Sequence, residues 1–197
     1  MTNIILCGVG GQGTVLASKL IAAAAMARGE AAHTAETIGM AQRGGSVVSH
    51  VRIGEGVYSP LIPKGQADLM IAFEPAEAVR NMTYLKPGAA AVVSSAPVMP
   101  VTAALSGSSY KPSDMINVLA GAGFDVTVID GAAIVSELGS AKSLNVALLS
   151  AACETGKAGM TSEELVSVLG TSVKKEYLEQ NMRAVRLGQS AAKAAAD

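Results

Sequence analysis

The chain has 197 residues, 50% of them hydrophobic, 16% charged and 3% aromatic, with a formal net charge of −1 and a mean hydropathy of +0.38. So much apolar side chain with so little net charge excludes intrinsic disorder. Fifteen Lys and Arg against sixteen Asp and Glu give no basic excess, which excludes a nucleic-acid partner held by phosphate contacts.

Alanine (35) and glycine (21) dominate, and tryptophan is absent. A core of Ala, Val, Ile, Leu and Met lets layers approach closely but buries little area per residue. Composition thus points to a partner subunit as a further source of stability. Two cysteines, Cys7 and Cys153, cannot build a disulfide framework or furnish the four thiolates of an iron–sulfur cluster. The start, Met1-Thr2-Asn3, has no basic region and runs straight into Ile4-Ile5-Leu6, which reads as a strand and not a signal peptide. The longest apolar run, residues 20–27, is far short of the ~20 residues of a membrane helix. The expectation is a cytoplasmic protein with neither nucleic-acid nor membrane partner.

In chain order, residues 3–7 read as a buried strand closed by glycines. Residues 14–28 form an Ala/Leu-rich helix with Gly29 at its end. A second strand is expected over 31–36, an aperiodic loop over 37–46, and a third, alternating strand over 47–53. The proline-bounded stretch 58–63 is irregular. Residues 68–73 are another buried strand, and Glu74-Pro75 opens a helix through about Tyr84. Lys86-Pro87-Gly88 reads as a turn before a strand at 89–94. Residues 99–105 are ambiguous and 106–109 a turn. A helix at 112–122, a strand at 124–129 ending at Asp130-Gly131, and a short helix at 132–138 follow. Two or three helices finish the chain, from about Asn145, Thr161 and Val173, and Thr161-Ser162-Glu163-Glu164 gives one of them a capping box. The amphipathic segment 174–196 is expected to pack on the body or on a partner. Alternating strands and helices without linker or repeat predict one α/β domain over 1–197, three-layered (α/β/α), with C-terminal helices from about 145 and a sheet mainly parallel or mixed.

Gly8-Val9-Gly10-Gly11-Gln12-Gly13 satisfies G-x-G-x-x-G between a strand and a helix. Such a turn aims backbone amides at an anion, aided by the helix dipole, and makes the domain Rossmann-like. With Glu36 at the end of the second strand, as a ribose-binding acid, an NAD or FAD reading is tenable. The plainer reading is a tight turn without a ligand. Glu36-Thr37-Ile38-Gly39-Met40-Ala41-Gln42-Arg43-Gly44-Gly45-Ser46 is the second unusual segment. Its glycines permit close backbone approach, and Arg43 offers a planar fork for carboxylate or phosphate. In a doubly wound sheet the two glycine-rich segments face one crevice. The plainer alternative is a solvated loop with Arg43 paired to Glu36.

At these segments the chain resembles the gamma-type subunit or domain of the 2-oxoacid:ferredoxin oxidoreductases, and within them the indolepyruvate branch. The residues that carry the resemblance are the glycine turn at 8–13, the stretch from Glu36 through Gln42-Arg43-Gly44-Gly45-Ser46 to Arg52, Val57-Tyr58-Ser59-Pro60-Leu61-Ile62-Pro63, and Asp68 to Pro75. The motifs cover roughly the first 95 residues, and the later part agrees in length and element order. The resemblance implies an accessory subunit of an enzyme that decarboxylates a 2-oxoacid on thiamine diphosphate, passes electrons through iron–sulfur clusters to ferredoxin, and forms an acyl-CoA. Thiamine diphosphate, Mg2+ and the clusters are then expected on larger partner subunits, with CoA as co-substrate and no cofactor bound tightly by this chain. No thiamine-type G-D-G motif is visible here. The family role implied is to close over the active site and accommodate CoA. The positions carried over are Gly8, Gly10, Gly11, Gln12, Gly13, Thr14, Glu36, Gln42, Arg43, Gly44, Gly45 and Ser46, with Arg43 as the main anion contact and no catalytic residue on this chain. Pyruvate-type relatives have a more aromatic, proline-containing loop where this chain reads 37–46, which favours indolepyruvate or a related keto acid. With so few aromatics, the substrate pocket is expected mostly on the partner.

Other residues invite plainer readings. Cys7 and Cys153 read as packing residues. His33 and His50 lack neighbours at ligand spacing, so no metal site is expected. Asp130 is a candidate helix cap as well as a residue of the functional edge. Three functions compete: the oxidoreductase subunit, a free-standing dinucleotide-binding protein, and an assembly module whose loops serve only as interface.

Overall fold

Seven of the eight residues of the first strand, β1 (Thr2–Val9), are buried, as expected of a strand covered on both faces. The computed structural model describes residues 1–38, 44–99 and 110–196. After β1 come α1 (Thr14–Ala27), β2 (Ala32–Ile38), β3 (Ser46–Ile53), β4 (Ala67–Ala72), α2 (Pro75–Asn81), β5 (Leu85–Ser94), α3 (Pro112–Gly121), β6 (Asp125–Ile129), α4 (Gly131–Leu138), α5 (Leu144–Cys153), α6 (Ser162–Ser172) and α7 (Lys175–Ala196). The strands form one sheet in the order β2-β3-β1-β4-β5-β6. β1, β4, β5 and β6 run parallel, and β3 runs against both β1 and β2. The sheet is therefore mixed, with β3 the reversed strand. Seven residues separate β2 from β3, enough for a hairpin but too few for a parallel crossover.

Side chains alternate across the sheet. Ile4, Leu6, Leu69 and Ile71 face α1 and the helices α4 to α7, while Ile5, Cys7, Met70 and Ala72 face α2 and α3. This gives the expected three layers. In α5 every residue from Asn145 to Cys153 is buried, because α7 and α1 pack over it. α1 ends where Gly29 takes φ +80° and the amides of Gly29 and Glu30 cap the carbonyls of Met26 and Ala25.

Three boundaries differ from the sequence reading. β2 runs on to Ile38, so the loop expected from residue 37 starts later, because Thr37 and Ile38 pair with Val48 and Val47. Lys86-Pro87-Gly88 is not a turn before β5 but its first part: the pairing with β4 slips between Ala67 and Leu69, and Gly88 takes φ +70°. The proline sits in an irregularity near the strand's start, where a missing ladder donor is tolerated. The helix opened at Pro75 tightens to a 3-10 turn at Met82–Tyr84. The turn at 106–109 and most of the ambiguous 99–105 stretch lie outside the described residues.

The carboxyl ends of β1, β2, β4, β5 and β6 share one edge with the start of β3. From β1 the chain leaves through α1 towards β2 and β3, and from β4 it leaves the other way, towards β5. The crevice between β1 and β4 is thus the switch point at which doubly wound sheets bind ligands.

Candidate functional site at the carboxyl edge

The glycine turn bridges β1 and α1 at that switch point. Gly11 and Gly13 take φ +101° and +83°, which a Cβ would strain. Gly13 is also closed sterically, since a Cβ there would sit 2.5 Å from the buried Asn145 amide nitrogen at the head of α5. Gly8 needs its small size for another reason. A Cβ there would lie 2.6 Å from Gln12 Oε1 and 3.0 Å from Phe73 Cβ. Gln12 folds back over Gly8: Val9 N donates to its Oε1 (2.8 Å), and its Nε2 donates to the Phe73 carbonyl (2.9 Å). The N-terminus of α1 carries no side-chain cap and no acid in its first turn, and Thr14 there is buried.

The structure brings the second glycine-rich segment against the first. Gly10 N donates to Gly45 O at 2.8 Å, and Gly44 N approaches Gly10 O at 3.4 Å. Ser46 Oγ donates to Glu77 Oε2 at 2.6 Å. Glu36 is exposed and turned to α1, where Ser18 Oγ lies 3.4 Å from its Oε1. Gln42 and Arg43 lie outside the described residues.

A set of side chains not singled out from the sequence completes the edge. Glu74 and Glu77 are buried at the head of α2. Glu74 caps that helix by accepting from Glu77 N (2.9 Å) and also accepts from the Tyr110 hydroxyl. Burial pushes the Glu74 carboxyl above its usual range, against the backbone N–H groups of Glu77, Val98 and Ala76. Glu77 is ion-paired with Arg80 (3.2 Å). A cavity of about 290 Å³ opens between these groups and Val9, Gly44, Ser46, Ala76 and Val98. The only sequence signal was Glu74 and Glu77 at i,i+3 around a helix start. Tyr110, 36 positions on, gave none.

Both cysteines are packed in the core. Cys7 is buried beneath Glu74 and Glu77, and desolvation first, then those carboxylates, pushes its thiol well up. Cys153 is pushed up to about 12, mainly by burial. Neither is a ready nucleophile. Asp130 caps α4 by accepting from Ala133 N (2.9 Å). His33 is exposed on β2. His50 is buried, accepts from Ile62 N at Nδ1 (3.2 Å), meets the Tyr84 ring edge-on, and is held below its usual pKa by desolvation. Among the described residues no three His, Cys, Asp or Glu side chains cluster as a metal site, and no helix is long and apolar enough to cross a membrane. A larger cavity of about 680 Å³, bordered by Arg28, Cys153, Glu154 and Lys193, lies at the far end of α1, roughly 20 Å of helix from the glycine turn.

Comparison with known proteins places this edge in context. Residues 3–191 match the family model described as pyruvate ferredoxin/flavodoxin oxidoreductase. The chain is 35% identical over 193 residues to the indolepyruvate oxidoreductase subunit IorB of Thermococcus kodakarensis, covering 97% of this chain and 96% of that one. The keto/oxoacid ferredoxin oxidoreductase gamma subunit of Geobacter sulfurreducens shares the fold, with a TM-score of 0.74 over 98% of this chain and 99% of that one at 23% identity. A 2-oxoglutarate:ferredoxin oxidoreductase from Magnetococcus marinus, solved with 2-oxoglutarate, coenzyme A and succinyl-CoA, matches with a TM-score of 0.70 and 25% identity; 98% of this chain covers 31% of that longer one. A free-standing dinucleotide-binding protein, the other reading of the fingerprint, finds no support in these matches. The chain belongs to the pyruvate ferredoxin/flavodoxin oxidoreductase family and is a subunit of a 2-oxoacid:ferredoxin oxidoreductase.

Proposed function

We propose that this chain is the accessory subunit of an enzyme acting on indolepyruvate or a related keto acid, and that its carboxyl edge covers an active site held on larger partner subunits. Thiamine diphosphate, Mg2+ and iron–sulfur clusters belong to those partners, ferredoxin is reached through the complex in the cytoplasm, and CoA is the co-substrate. One observation carries the reading: the two glycine-rich segments that bear the family motifs meet backbone to backbone, Gly10 on Gly45, at the switch point. Gly8, Gly10, Gly11, Gln12, Gly13, Thr14, Gly44, Gly45 and Ser46 form or flank that junction, with Glu36, Gln42 and Arg43 on the segment that leads into it. Arg43 supplies the cation that meets the phosphates of the CoA co-substrate. Similarity to an indolepyruvate oxidoreductase subunit along nearly the whole chain supports the substrate branch.

The test is reconstitution with the larger subunit and an assay of 2-oxoacid- and CoA-dependent viologen reduction. The isolated chain is expected to be inactive and the complex active on aryl pyruvates. Arg43→Ala is expected to leave assembly intact and raise the KM for CoA about tenfold, equivalent to about 1.4 kcal/mol. A complex that assembled with Arg43→Ala and kept full turnover with unchanged CoA dependence would reduce the loop to a subunit interface.

A further inference from the structure

We infer that Glu77 is a positioning residue for the reaction: from α2 it holds Ser46, and with it the exit of the second glycine-rich segment, in the place from which that segment meets CoA. This step rests on the CoA reading of the junction given above. Gly44 and Gly45 carry no side chain, so Ser46 is the first position after them at which a side chain can anchor the segment. Its hydroxyl donates to Glu77 Oε2 at 2.6 Å, the length of a charge-assisted hydrogen bond. Through its backbone Ser46 opens β3 opposite Val9, and the preceding Gly45 carbonyl accepts from Gly10 N at 2.8 Å. The segment is thus held from two sides, by β1 and its turn through the backbone and by α2 through one carboxylate.

Nothing in α2 itself calls for a buried acid at this position. Glu74 already caps the helix, accepting from the Glu77 amide at 2.9 Å. The Glu77 side chain is buried, where a carboxylate is costly unless it is paired and hydrogen-bonded. Its Oε1 meets Arg80 Nε at 3.2 Å, and the Arg80 side chain is 63% exposed, so the charge is balanced from the solvent side by a pair that adds little stability. That leaves Oε2 for the loop, and among the described residues Ser46 is the one side chain from another element that it takes. The acid therefore serves the junction more than its own helix. Glu77, Gly44 and Ser46 also border the same cavity of about 290 Å³, so slack in this one bond opens directly onto the crevice.

The full chain, alone and assembled with its larger subunit, provides the test. In the chain alone, Glu77→Ala is expected to speed hydrogen exchange of the Gly10 amide about tenfold or more, while the amide of Leu148, buried in α5, keeps its wild-type rate. In the complex it is expected to raise the KM for CoA about fivefold and to leave the KM for the 2-oxoacid unchanged. Ser46→Ala removes the same bond from the other end, so it should reproduce both effects, and the double variant should add nothing to either single one. Glu77→Gln keeps an acceptor for the Ser46 hydroxyl and should stay within about twofold of the wild type in both readouts. An unchanged Gly10 rate in Glu77→Ala, equal acceleration at Leu148, or additive effects in the double variant overturns the inference. Should Glu77→Ala not fold, Ser46→Ala decides by the same readouts. Arg43→Ala in the same assay separates the two readings. If it raises the KM for CoA and Glu77→Ala does not, the inference alone fails; if neither moves it, the CoA reading fails and the inference with it.

Discussion

At Gly8 and Gln12 two residues compete for one volume, and that makes their roles separable by substitution. Gly8→Ala places a methyl against Gln12 Oε1 at 2.6 Å and Phe73 Cβ at 3.0 Å, an overpacking expected to cost about 1–3 kcal/mol. In a Gln12→Ala background the first clash is gone. The cost of Gly8→Ala should then fall by at least about 0.5 kcal/mol, a coupling that urea melts of the four proteins would measure. Equal costs in both backgrounds would mean that Phe73 and Thr14, whose Cγ2 lies 3.3 Å from the same position, exclude the methyl without Gln12. Gly13→Ala has no such rescue, because both its φ of +83° and Asn145 oppose it. Residues of this kind were half legible. The glycine motif announces a tight turn, yet which group each glycine makes room for depends on Phe73 and Asn145, which are 65 and 132 positions from Gly8 and Gly13. Glu74 and Tyr110 were missed for the same reason. A hydroxyl 36 residues away leaves no trace in local pattern, whereas the cap of α2 by Glu74 is a local event and its helix start was read correctly.

The helices show how local chemistry and long-range packing divide the work. The capping box of α6 was legible because both its partners lie within one turn: Glu164 N donates to Thr161 Oγ1 (3.2 Å), and Thr161 N donates to Glu164 Oε2 (2.8 Å). The seating of α7 on α5 was foreseen only as amphipathicity. Its mechanism is the close approach at Gly188, where a Cβ would lie 2.0 Å from the Ala147 carbonyl oxygen and 3.0 Å from Ser150 Cβ. Ser150 Oγ donates to the Val185 carbonyl (2.9 Å) in the same contact. Gly188→Ala must push two helices apart against backbone atoms, so a loss of about 3 kcal/mol is expected. Gly170 in α6 has nothing within 4 Å of its would-be Cβ, and there Gly→Ala should stabilise by about 0.5–1 kcal/mol through helix propensity. Thermal unfolding of the two variants checks both signs. A tolerated Gly188→Ala would show that α7 is not seated this closely on α5. The β5 start illustrates the converse. Lys86-Pro87-Gly88 has the chemistry of a turn, but pairing with β4 and a register slip absorb it into the strand.

For the whole molecule, alternation of strand and helix made the layered α/β class legible, since periodicity reports burial. Strand direction leaves no such mark, which is why a mixed sheet could be expected without naming β3 as its reversed strand. Two buried titratable groups on the α2 side of the sheet give this fold a pH response that composition does not foretell. Burial lifts Glu74 above its ordinary value near 4.5, so its contribution is fully present below that value and is lost as pH rises through the native one. Burial depresses His50 below its ordinary value near 6.5, so its contribution is present above 6.5 and is lost as pH falls through the native value. Between pH 4.5 and 6.5 the two trends oppose each other, and they flatten the wild-type profile. Glu163 and Glu164 are held low, by backbone hydrogen bonds first, and act below 4.5. The thiols of Cys7 and Cys153, both raised, act above 9.0. Glu74→Gln keeps an acceptor for Glu77 N and turns its amide N–H to the Tyr110 hydroxyl oxygen, while removing the titration, so its stability should climb with pH across this window. His50→Gln should do the reverse. Each slope is bounded at about 1.4 kcal/mol per pH unit for a single proton. Urea midpoints at fixed ionic strength for the three proteins measure this directly. If both variants follow the wild-type slope, neither group titrates differently in the folded and unfolded chain, and the burial argument for this side of the sheet is wrong.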